Sequence, residues 1–241
     1  METLLDELYA PITKEIGFLQ LPIDATCRGL VDWRRELGRE VTSKEVPTGF
    51  PDALLALEPL TSAGIPRELL VEHGDWTAYF NNSLHGTDAF GPVSYLTERL
   101  KCHGLLARSA PDIKPRRGQR SRYGSVDFRL YGPKVVDHHN TLRSIGATND
   151  GGRWVFVNYG ERLSFERPER YTAARIRDRF TSSMLAEYCE ALGVHLFDPK
   201  GYGPAAVLVE SSAVVGESAM SLGEAQELLG IVPGAARALP G

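Results

Sequence analysis

The sequence predicts an α+β fold, with antiparallel hairpins and a meander in a mixed sheet covered by helices. Three observations lead there. Short stretches alternate apolar and polar residues, most clearly Val126, Phe128 and Leu130 against Asp127, Arg129 and Tyr131. Tight-turn sequences join neighbouring stretches, "GD" at 74–75 and "NDGG" at 149–152. Other stretches repeat apolar residues at helical spacing between residues suited to caps.

The elements follow in chain order. In "IDATCRGLVDWRRELG", Ile23, Cys27, Leu30, Trp33 and Leu37 recur at helical spacing, with Asp24 as the expected N-cap and Gly38 as the stop. "TGFPDALLALEPL" predicts a short helix opened by Pro51 and ended by Pro59. "RELLVEH", "GD" and "WTAYFNN" predict a hairpin with Trp76, Ala78 and Phe80 on one face and Thr77, Tyr79 and Asn81 on the other. Asn82 to Thr87 is turn-rich, and Asp88 is the expected cap of a helix through "AFGPVSYLTERLKC". The strands of "YGSVDFRLYG", "NTLRSIGAT" and "GRWVFVNYG" predict a three-stranded meander. "ERYTAARIRDRFTSSMLAEYCEALG" predicts a helix with a break at Thr181–Ser183, followed by strands in "VHLFD" and "AAVLVE".

One domain over 1–241 is predicted, with candidate halves at 1–110 and 122–210, a basic loop at 111–122 and a helical tail at 218–241. Leu96, Glu98 and Gly104 are spaced like Leu185, Glu187 and Gly193, so two pseudo-repeated hairpin–helix–strand units are a candidate arrangement.

The 241 residues suffice for a sizeable core, and 42% hydrophobic with 24% charged residues is ordinary for a globular chain. The net charge of -4 argues against a surface built to track nucleic acid. Cys27, Cys102 and Cys189 are odd in number and far apart, which predicts reduced thiols and a cytoplasmic location. No signal-peptide pattern and no apolar run of membrane-spanning length is present, so no membrane association is predicted.

The chemistry-bearing residues are few. Phosphate loops, nucleophile elbows, Cys-x-x-Cys and His-Glu-x-x-His are all missing from the sequence, and no cofactor is predicted. His85, Asp88, Asp137 and His138, with Asn81, are the candidate catalytic residues, because a histidine beside a carboxylate can serve as a general base. "VVDHHN" also offers metal ligands in Asp137, His138 and His139. Adjacent histidines on a strand point to opposite faces, and no metal is predicted. His103 and His195 are expected to be ordinary half-buried histidines. Most of the polar residues between Glu72 and Gly91 are expected to serve turns and caps instead. Lys114, Arg116, Arg117, Arg120 and Arg122 form a basic run whose guanidinium forks suit carboxylate or phosphate oxygens; the plainer alternative is a solvated loop.

Two resemblances add to this. "SLGEAQELLG" (221–230) resembles the opening of helix-turn-helix motifs of the excisionase and MerR-like kind. A single arginine follows it, so a helix packing Leu222, Leu228 and Leu229 on the body is the expectation. With its "WTAYF" hairpin and "RIRDRFT" segment, the chain over about 15–210 resembles uncharacterised bacterial cytoplasmic proteins. That resemblance implies a bacterial cytosolic protein and transfers no activity. The function expected is a protein-binding or immunity-like, toxin-neutralising module with an acidic protein partner. The alternatives are a hydrolase-type enzyme with a His/Asp site and, less favoured, nucleic-acid binding through the basic loop.

Overall fold

A computed structural model describes residues 1–113, 122–136, 139–212 and 219–234. Its elements in chain order are β1 (Glu15–Leu19), α1 (Ile23–Glu36), β2 (Val41–Glu45), β3 (Leu60–Thr61), β4 (Arg67–His73), β5 (Trp76–Asn81), α2 (Phe90–Leu100), β6 (Gly104–Ala110), β7 (Ser125–Val136), β8 (His139–Asn149), β9 (Trp154–Gly160), α3 (Ser182–Glu190), β10 (Ala206–Ser211), β11 (Ala219–Met220) and α4 (Leu222–Leu229). Nine strands form one sheet in the order β2-β10-β4-β5-β1-β6-β7-β8-β9, and β3 pairs with β11 in a small second one. The fold is α+β, as predicted. The large sheet runs unbroken through both candidate halves, because β10 inserts between β2 and β4. Among the described residues, no helix is long and apolar enough to cross a membrane.

Alternation sends each strand's side chains to two faces. On the front face α1 and α2 cover Leu70, Tyr79, Leu19 and Leu106, whereas the back face packs Phe18, Leu69, Phe80, Phe128 and Ile145 with Phe180, Leu185 and Tyr188. The hairpin β4–β5 closes on Gly74 and Asp75 with His73 opposite Trp76, and Gly74 takes a positive φ of 58°. Both of its faces are buried. Helix α2 lies so close to the sheet that a Cβ on Gly104 would come 2.1 Å from Thr97 Oγ1 and 2.8 Å from Val93 Cγ1. Gly104→Ala is therefore expected to cost about 1–3 kcal/mol through displacement of α2. An unchanged thermal midpoint would refute this close approach.

Several elements differ from expectation. Asp24 lies in the first turn of α1, and Pro22 holds the N-cap position. Asp88 does not cap α2 either. Ala89 sits at that cap, and its N–H donates to Glu15 Oε1 at 2.8 Å, so a carboxylate from β1 does the capping. The predicted helix over 169–193 is α-helical only at 182–190, where Thr181 caps it at the predicted break. Upstream lie short 3₁₀ turns at Pro168–Thr172 and Ile176–Asp178. There Arg179 Nε donates to the Ala173 carbonyl, the acceptor a continued helix would need. Residues 194–198 form no strand. Val194 and Leu196 alternate into the back core, but the chain makes turn bonds, Leu196 N–H to Val194 O among them. The second hairpin–helix–strand unit therefore lacks its strand. Helix α4 carries a Ser221/Glu224 capping box and packs Leu222, Ala225 and Leu229 inward, while Gln226 donates to the Leu8 and Ala10 carbonyls.

Candidate functional site

The polar stretch 72–91 spends its side chains on the backbone. Asn81 Nδ2 donates to Asp88 O at 3.0 Å and to Tyr79 Oη at 3.2 Å, and its Oδ1 accepts from the Ser83 and Asp88 N–H groups. Asn82 Nδ2 donates to Pro59 O at 2.9 Å, and Thr87 Oγ1 donates to Ile12 O at 3.0 Å. These residues fix a loop. His85 is exposed, with its carbonyl accepting from Lys14 Nζ, and Asp88 is exposed at the foot of α2. Asp137 and His138 lie outside the described residues. Among the described residues no group of three or more His, Cys, Asp or Glu is placed to hold a metal.

The basic run divides. Lys114, Arg116, Arg117 and Arg120 lie outside the described residues. Arg122 is no exposed loop cation: it is buried and ion-paired with the buried Glu7, since a guanidinium taken from water needs a carboxylate. Burial pushes the Glu7 carboxyl up, against the pull of Arg122. His103 is exposed, as is His195, whose Nδ1 lies 2.8 Å from Glu190 Oε2.

Two charged clusters hold the front face. In the first, Arg34 Nε and Nη2 donate to Glu68 at 2.8 and 2.6 Å, and Tyr79 Oη donates to the same carboxylate at 2.7 Å. In the second, Glu15 takes the Ala89 N–H and the Arg108 guanidinium, whose Nε lies 2.6 Å away. Beside it, Thr148 Oγ1 donates to Asp127 Oδ1 at 3.2 Å. Burial raises the Asp127 carboxyl, with Arg108 opposing. Burial and then the nearby Arg108 charge lower the Lys14 ammonium to about 8. Each cluster satisfies its charges internally, so both act as polar seams between sheet and helix.

Toward β9 the front face is open. Helices α1 and α2 pack over the part of the sheet from β2 to β7, α2 also reaches the start of β8 through Ser94 and Asn140, and no described helix lies over β9 on this side. Phe90, Val155, Val157 and Tyr159 stand 40–50% exposed there. A hollow of about 240 Å³ between them is lined by Arg129, His139, Thr141, Ser144, Val157 and Tyr159. Its walls are fixed by Arg129 stacked over Phe90 at 5.3 Å and by Tyr159 Oη 3.2 Å from His139 Nε2. Strand β9 is also the edge of the sheet. Apart from its pairing to β8, its backbone makes no further strand pairing among the described residues.

At the start of β9 lies a second, basic hollow of about 550 Å³, lined by Gly152, Arg153, Trp154, Arg175, Ile176 and Arg177. The sequence reading missed both hollows. Their signal is a strand, "WVFVNYG", apolar at nearly every position yet lying next to a hairpin turn instead of mid-sheet. Comparison with known proteins finds no matching family model, no matching curated protein and no matching solved structure.

Proposed function

We propose that the protein is a cytoplasmic protein-binding module that docks its partner on the open β7–β9 end of the sheet. One observation carries this: the two edges of the sheet are built differently. Strand β2, the far edge, is guarded by Lys44 and Glu45, with Lys44 bound to Glu210 at 2.7 Å. Charged edges of this kind deter further strand pairing. Strand β9 has no charged residue over 154–160 and shows Val155, Val157 and Tyr159 to solvent. An uncharged, apolar edge is the surface by which sheets recruit extended segments of other chains. The free thiols of Cys27, Cys102 and Cys189 suit the reducing cytoplasm. Toxin neutralisation is the form of this reading in which the partner is a co-produced toxin.

Val157→Lys should abolish capture of the partner from extracts of the native host, whereas Leu55→Lys, an equally exposed leucine on the 52–57 turn, should leave capture intact. Both changes lie at the surface and should alter stability by no more than about 0.5 kcal/mol. Equal capture by wild type and Val157→Lys would remove the reading.

A further inference from the structure

The basic hollow says what the docked segment looks like. We propose that it is an extended polypeptide, acidic at its C-terminal end, that adds antiparallel to β9 and seats its carboxylates among Arg153, Arg175 and Arg177. This rests on the protein-binding reading and specifies the partner.

Geometry comes first. The hollow is lined by residues at the start of β9 and by residues 175–177; the turn at Ile176–Asp178 touches both β8 and β9, and Arg179 lies over Phe156, so the hollow sits against the back face at the start of β9. Every pair in the nine-stranded sheet is antiparallel. A tenth strand of the same sense runs opposite to β9, and its C-terminal end then falls beside Trp154. Its side chains alternate between the Val155, Val157 and Tyr159 face and the Trp154 and Phe156 face, where β-branched residues pair well.

Charge comes second. Arg177 lies 3.9 Å from Asp178 in a solvent-exposed pair, and among the described residues Arg153 and Arg175 make no ion pair. Three guanidiniums around one aromatic wall repel one another until an anion enters. Trp154 also packs against Gly124, since a Cβ there would lie 3.2 Å from the ring. Carboxylates match this corner in both charge and fork geometry. A nucleic acid would match the charge but would leave the edge amides and the valine–tyrosine face unused.

The test uses the full chain and a fluorescent peptide of alternating valine and threonine ending in two glutamates, beside the same peptide ending in two glutamines. Wild type should bind the glutamate peptide about tenfold more tightly at low salt, the sum expected of a few exposed ion pairs. Arg175→Glu with Arg177→Glu should erase that preference without altering glutamine-peptide binding, and Val157→Lys should weaken both peptides. Equal binding of the two peptides by wild type overturns the inference, as does displacement of the glutamate peptide by a single-stranded oligonucleotide at lower concentration. If Val157→Lys abolishes capture of the host partner while the double arginine change preserves it, the binding module stands and the acidic strand falls.

Discussion

Glu68→Ala is expected to destabilise the protein by about 3–5 kcal/mol, the cost of leaving a buried charge without its partner. The side chains of Arg34 and Glu68 are only 7% and 1% exposed, and they meet through two parallel hydrogen bonds. Removing the carboxylate strands the guanidinium beneath α1 and also takes the acceptor from Tyr79 Oη. A domain of this kind has a total stability of about 5–15 kcal/mol, so the loss is a large fraction of the whole. Urea unfolding should show a much lower midpoint with an unchanged slope. The double change Arg34→Met with Glu68→Leu removes both charges together and should cost clearly less than Glu68→Ala alone. A double variant as weak as the sum of its single changes would show that the pair is not a coupled unit.

Acid should weaken the fold through His73. The ring is buried on the back face against Phe18 and Tyr202, with centroids 5.3 and 4.5 Å away. Its Nε2 accepts the His195 backbone N–H at 3.0 Å, so the neutral ring carries its proton on Nδ1. Charging it requires a proton at Nε2 and the loss of that bond. Burial, and then the neighbouring His195 charge, hold the imidazole down to about 4, against 6.5 in the unfolded chain. Between those values the unfolded state binds a proton that the native state refuses, so stability falls as pH falls. The contribution is intact above about pH 6.5 and gone below about 4, and at 1.36 kcal/mol per pH unit it amounts to about 3 kcal/mol. His73→Gln keeps an acceptor for His195 and does not titrate. Unfolding free energies at pH 7.5, 5.5 and 4.5 should therefore fall less steeply in this variant than in wild type. Parallel profiles would show that His73 charges in the folded state.

How much of this could be read from the chain alone depends on how local each cause is. The β4–β5 hairpin was legible because its alternation and its Gly74–Asp75 turn are neighbours in sequence. That Thr77, Tyr79 and Asn81 face a covered interior was not legible, for Thr77 is answered by the Leu21 carbonyl and Tyr79 by Glu68, whose own partner Arg34 lies on a helix dozens of residues upstream. Arg122 looked like the last cation of a loop because its carboxylate, Glu7, is 115 residues away. The helix expected through 169–181 had suitable local spacing, yet the Ala173 carbonyl is taken by Arg179, and Tyr171 and Phe180 are drawn into the back core. The turn-forming role of Asn81 and Asn82 was visible from residue type alone. The open end of the sheet was not, because no local pattern records which strands lie beneath α1 and α2.

The place of β10 shapes how the molecule comes into being. Strand β2 pairs with β10 alone, and β4 gains its second neighbour only from the same strand. A chain emerging from the ribosome therefore carries β2 unpaired and β4 as a raw border until residues 206–211 arrive. Closure of this half of the sheet waits on translation of that segment, which leaves β2 and β4 open to chaperones and proteases while the chain between β4 and β10 is being made.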